Sequence, residues 1–172
     1  MEDFVEALQE GDFDKVRALI NQSNVNAEGA FKMTRLMHAS EAGNLDIVRA
    51  LLDMGANINA RDIDRRTPLM FASQENHAGV VALLINNGAD VNAFEREKHY
   101  TALMLAAMEG HALVVKILLK TGASKSMKDK DEKTALDHAR EAGHNEIVKM
   151  LSVTAAAGGS RRRRRNRRRT RR

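Results

Sequence analysis

The chain has 172 residues, 43% hydrophobic but only 3% aromatic, with a net charge of +5. That length holds one ordinary domain or a short repeat array, and its core must be built from Leu, Ile, Val, Ala and Met, which favours helices packed on helices. The absence of cysteine removes disulfides, thiolate zinc sites and cysteine nucleophiles together.

No apolar run approaches the ~18 residues of a membrane span. The acidic start, Met1-Glu2-Asp3, is unlike a secretory leader. The expectation is a soluble protein of the cytoplasm and/or the nucleus.

Taken in order, Phe4, Val5, Leu8, Val16, Leu19 and Ile20 follow helical spacing, broken at Gly11-Asp12. This predicts a short helix pair with Glu2, Glu6, Gln9 and Glu10 facing water, an amino-terminal cap over about 1–27. A unit over about 28–60 follows. Thr34 is placed to cap its first helix, since its hydroxyl can accept from first-turn amides that have no partner within the helix. Leu36 and Ala39 face inward, Gly43-Asn44 breaks the helix, and a second helix from about Leu45 to Met54 buries Leu45, Ile47, Val48, Leu51 and Leu52. Gly55 supplies the left-handed residue that ends it. In the unit over about 61–93, Thr67-Pro68-Leu69 puts the chain's single proline at the first helical position, where a missing N–H costs nothing. The unit over about 94–126 repeats the pattern from Thr101 with one extra residue in its preceding loop. The last, about 127–151, lacks the closing Gly-Ala and carries Glu146 and Lys149 outward, as a carboxy-terminal cap requires. Residues 152–160 read as a flexible linker and 161–172 as an arginine-rich tail.

Two combs share one beat. Thr34, Thr67, Thr101 and Thr134 recur at steps of 33, 34 and 33 residues, and Gly55, Gly88 and Gly122 keep the same spacing after each second helix. With TPLMFA at Thr67–Ala72, Gly-His at 110–111 and 143–144, and GADVNA at Gly88–Ala93, residues 1–151 resemble the ankyrin-repeat family. The resemblance implies an all-α solenoid of stacked helix-turn-helix units joined by finger loops. It further implies a concave finger and first-helix surface that binds another protein. The expectation is a monomer with neither enzymatic activity nor a cofactor. The sequence departs from the family where Arg35, Ala102 and Ala135 stand in place of proline, and where Lys32, Arg65 and Glu132 stand in place of the finger glycine. Each of the last three lacks glycine's tolerance of positive φ, so the fingers are expected to be less than ideal and the stability modest.

Nothing in the sequence converges as a nucleophile with its base, or as a metal-ligand set. His77, His111 and His144 share one slot at the start of the second helices and resemble the family's structural histidines. His38 and His138 share another, expected to face the inter-helix core. Asp129, Asp131 and Glu132 read as a solvated turn. Asn59 and Asn92 occupy a family hydroxylation position, with bonding to finger backbone as the simpler role. Met37, Met70, Met104 and Met108 form either core or an adaptable stripe. The protein-binding candidates are finger residues Phe31 and Met33; Ile63, Asp64, Arg65 and Arg66; and Phe94, Arg96, His99 and Tyr100. Gln74 and Met108 extend that surface on the first helices. Apolar or aromatic side chains at a loop tip are awkward unless they pack or bind.

The charge is unevenly placed: the last twelve residues contribute +10, leaving −5 for residues 1–160. Arg161, Arg162, Arg163, Arg164, Arg165, Arg167, Arg168, Arg169, Arg171 and Arg172, with Asn166 among them, need a polyanion. The run Arg164–Arg169 resembles arginine-rich RNA-binding peptides of the lentiviral Rev type, in which the asparagine, here Asn166, reads a base pair; Thr170 departs from that pattern. RNA or another polyanion, nuclear import, an anionic membrane surface and a cell-entry tag are the readings the tail leaves open. An appended segment is the other reading of its Gly-Gly-Ser junction.

Overall fold

The computed structural model describes residues 1–152, so the predicted arginine tail and all but the first residue of its linker lie outside the described residues. Five helix pairs follow one another: α1 (Glu2–Glu10) with α2 (Phe13–Ala18), α3 (Arg35–Glu41) with α4 (Leu45–Asp53), α5 (Pro68–Gln74) with α6 (Ala78–Asn86), α7 (Ala102–Met108) with α8 (Ala112–Lys120), and α9 (Ala135–Glu141) with α10 (Asn145–Ser152). The first helices of successive pairs pack side by side, α1 on α3, then α5, α7 and α9. The second helices form a parallel row from α2 to α10. The result is the all-α ankyrin-type solenoid the period predicts.

The local chemistry recurs with the period. Thr34, Thr67, Thr101 and Thr134 each hold an extended backbone and accept, through the side chain, from the amide three residues on. Pro68 is the first residue of α5. Gly55, Gly88 and Gly122 take φ of 88°, 94° and 95° after the second helices. One continuous core runs the length of the stack from Phe4 to Leu151, with Leu36, Leu69 and Leu103 on the first helices and Leu51, Leu84, Leu118 and Leu151 on the second filling equivalent places in successive units. Met70 and Met104 belong to it, Met37 is fully buried as well, and Met108 is half-exposed.

Leu45 is 37% exposed, contrary to the expectation of burial: as the first residue of α4 it lies at the outer edge of its row. Between units, two side-chain ties repeat. Asn26, Asn59 and Asn92 each reach the loop after the next second helix: Asn59 Oδ1 accepts from Asp90 N at 2.9 Å and its Nδ2 donates to Gly88 O, so the partner is that loop rather than finger backbone. His77, His111 and His144 reach backward through Nε2 to the carbonyls of Glu41, Gln74 and Met108 at 2.8, 2.8 and 2.9 Å. Among the described residues no helix is long and apolar enough to cross a membrane.

Candidate functional site: the finger and first-helix face

Each finger is a tight reversal whose ends are joined by a backbone bond, from Gly29 N to Met33 O, Asp62 N to Arg66 O, Glu95 N to Tyr100 O and Asp129 N to Lys133 O. In the last three an acidic side chain folds into the turn and accepts its amides. The extra residue of the third finger is absorbed within this cage, since Glu95 accepts from Glu97, Lys98 and Tyr100. Asp129 is only 4% exposed, which corrects its reading as solvated. The carboxylate is shared by the amides of Asp131 and Lys133 and by His138 Nε2 at 2.7 Å. Burial pushes this carboxyl up, but the hydrogen bonds from Lys133, His138 and Asp131 together hold it below the usual carboxylate range. His138 therefore faces the finger rather than the inter-helix core. His38, on the same slot of α3, is partly buried, and that burial lowers its pKa.

The fingers are then joined to one another through their tips. Ile63 N donates to Phe31 O at 2.9 Å, Arg96 N to Asp64 O at 2.7 Å, and Lys130 N to Lys98 O at 3.0 Å. This ladder fixes where the predicted recognition residues stand. Phe31 is 70% exposed and Ile63 47% exposed, side by side at the first two tips. Arg96 is exposed at the third, and Met33 is half-buried at the base of the first. Arg65 lies over the Phe94 ring at 5.4 Å, and His99 is tilted against the same ring at 4.9 Å, so these three form one cluster. Arg66 covers Phe71 at 4.4 Å while its Nε donates to Asp62 at 2.9 Å. Tyr100 meets His138 edge-on at 5.4 Å.

Between the second and third fingers and helices α5 and α7 lies a groove of about 280 Å³. It gathers Asp64, Arg66, Gln74 and Tyr100 from the predicted set, and adds Glu95 and Leu105, which the sequence reading missed. Phe31, Met33, Ile63, Arg65, Phe94, Arg96, His99 and Met108 do not line it. The signal for Glu95 was present in the sequence: Asp62, Glu95 and Asp129 recur at the repeat spacing, five or six residues before their threonines, with Gly29 in the same place of the first finger.

The left-handed finger slot is where the family places glycine. Lys32, Arg65 and Glu132 indeed hold φ of 60°, 65° and 61° there, and the structure adds His99 at 64° as the fourth member.

No curated protein matches the chain. The family description "Ankyrin repeats (3 copies)" matches residues 4–95 and 93–158, most of the chain. Ankyrin repeats are generally protein-binding modules. The period, the paired helices, the threonine caps and the finger ladder all agree with that match, and the chain belongs to the ankyrin-repeat family.

Proposed function

We propose that this protein is a non-enzymatic, monomeric scaffold that binds another protein through its finger and first-helix face. The observation that carries the reading is the pair Phe31 and Ile63. Two large apolar side chains stand exposed on adjacent tips that backbone bonding holds rigidly together. Water-exposed apolar surface on a fixed loop contributes nothing to folding and is what a partner's pocket takes up. The groove of Asp64, Arg66, Gln74 and Tyr100 supplies adjoining polar contacts.

The arginine-rich segment Arg161–Arg172 adds polyanion binding or nuclear targeting. In a second reading, favoured by the run Arg164–Arg169, that segment is the active element, binding RNA, and the repeats position it.

A nuclease-treated capture experiment separates the two. It compares the full chain, a Phe31→Ala/Ile63→Ala variant and a chain ending at Ser160. Proteins retained by the full and shortened chains but lost from the double variant support the scaffold. Loss of all specific capture with the tail or with nuclease supports the RNA reading and rejects the first.

A further inference from the structure

The first-helix side carries a second surface at its amino-terminal end. Where α1 meets the first finger and α3, a groove of about 610 Å³ is lined by Met1, Val5, Ala30 and His38, with Glu2 and Glu6 along it. Through Val5, Gln9 and His38 it continues into a recess of about 200 Å³ bounded by Leu8 and Glu41. Glu2, Glu6 and Glu41 are exposed. The Glu41 carboxyl is held above its ordinary pKa by partial burial and by the charge of Glu75, with Arg66 only partly opposing them. Arg66 itself is committed to Asp62 and to the Phe71 ring. The surface is therefore apolar along its floor and acidic along its edges, and His38, 3.9 Å from Glu41, is the basic side chain that lines it.

We propose that this groove is the docking site of the chain's own arginine-rich segment, Arg161–Arg172. Charge complementarity is the first argument: residues 1–160 carry −5 and the last twelve residues carry +10. A guanidinium can grip a carboxylate with two parallel bonds while its methylene stem lies on apolar surface, and the groove offers both side by side. Reach is the second. Arg161 is nine residues beyond Ser152 and Arg172 twenty, so they reach at most ~30 and ~68 Å from the end of α10. Packed helices stand 8–10 Å apart, which places α1 about 40 Å from α9 across the four intervening steps. The distal part of the segment, towards Arg172, spans that interval within one molecule, and tethering gives it an effective concentration in the millimolar range. At low salt the arginines are occupied by the body of the protein, and a competing polyanion must displace them. This inference stands whichever partner the finger tips bind.

The absence of native cysteine gives a clean test on the full chain. Gln9→Cys, on the groove, is combined with Thr170→Cys, and intramolecular disulfide formation is followed at about 1 μM protein. The control pairs Thr170→Cys with Asn86→Cys. Like Gln9, Asn86 is an exposed residue in the last turn of a nine-residue helix, but it lies two units nearer the carboxy terminus. Tether length alone favours the control. Electrostatic docking is expected to make the Gln9 pair form at least about tenfold faster in low salt. That advantage disappears at 1 M salt, where the screening length is ~3 Å, and in a Glu2→Gln/Glu6→Gln/Glu41→Gln background whose circular dichroism is unchanged. Equal rates for the two pairs, an advantage that survives salt or the triple neutralisation, or disulfides forming only between molecules would each overturn docking within the chain.

Discussion

Four fingers place a non-glycine residue in the left-handed region: Lys32, Arg65, His99 and Glu132, at φ of 60° to 65°. Holding an ordinary residue there costs about 1–2 kcal/mol, and glycine forfeits about 0.5–1 kcal/mol through its freer unfolded state. Each replacement by glycine should therefore stabilise by roughly 0.5–1 kcal/mol. Lys32→Gly is the cleanest single case, because the side chain is exposed and its ammonium pairs with no carboxylate among the described residues. Arg65→Gly gains least, since it also gives up the stacking on Phe94. The fourfold variant should gain about 2 kcal/mol, raising Tm by roughly 4–8 °C for a chain of this size. Thermal and urea melts followed by circular dichroism measure it, with Lys32→Ala as the control that keeps the left-handed demand. A fourfold variant that melts at or below the parent, or an alanine control that gains as much as glycine, would refute the argument.

The other predictions concern the same repeating devices. Gly43→Ala should cost about 3 kcal/mol or more, because its Cβ would stand 2.3 Å from the His77 ring at a φ of 73°. Gly122→Ala, at φ 95° with open space around it, should cost only about 1–2 kcal/mol; similar losses in denaturant melts would mean the His77 contact is irrelevant. The Asp129 carboxyl titrates below its ordinary value in the folded state, so its stabilising contribution is complete above the unfolded pKa near ~3.9 and fades as pH falls through the lower folded value. Asp129→Asn should lower stability at pH 7 by about 1–3 kcal/mol and flatten the acid limb of the urea midpoint below about pH 4. An unaltered acid limb would remove this carboxylate from the account. Asn59→Ala should cost about 1–2 kcal/mol for two lost bonds to the next unit, read from the same melts; no loss would show the tie to be passive.

The helices, their caps and their order were legible because each depends on residues close in sequence: a threonine and an amide three positions away, or an apolar face with a 3.6-residue period. What the sequence hid depends on how each finger folds onto its own helices and on neighbouring units. Asp129 looked solvated because carboxylates in turns usually are, but the fold of its own unit brings His138 and the amides of Asp131 and Lys133 onto it. Leu45 looked buried by period, yet at the start of α4 its side chain, though it reaches Gly79 of α6, stays 37% exposed. The finger cluster of Arg65, Phe94 and His99 joins two units, and nothing within either unit announces it. Among the predicted recognition residues, Arg66 and Tyr100 have partners inside the fold, whereas Phe31 and Ile63 have exposed side chains left over.

The ties between units also set how the stack yields. The two interior joints, between the second and third pairs and between the third and fourth, carry both an asparagine reaching forward and a histidine reaching back. Each outer joint carries one of these, supplemented by a long cationic arm: Arg35 bonds the Asn24 carbonyl at one end, and Lys125 bonds those of Met150 and Leu151 at the other. Short, nearly rigid side chains make stiff hinges and long ones make compliant hinges. Pulled from its ends, the molecule behaves like a leaf spring with soft mounts, in which the two end pairs swing and peel first while the central three hold their spacing as one plate.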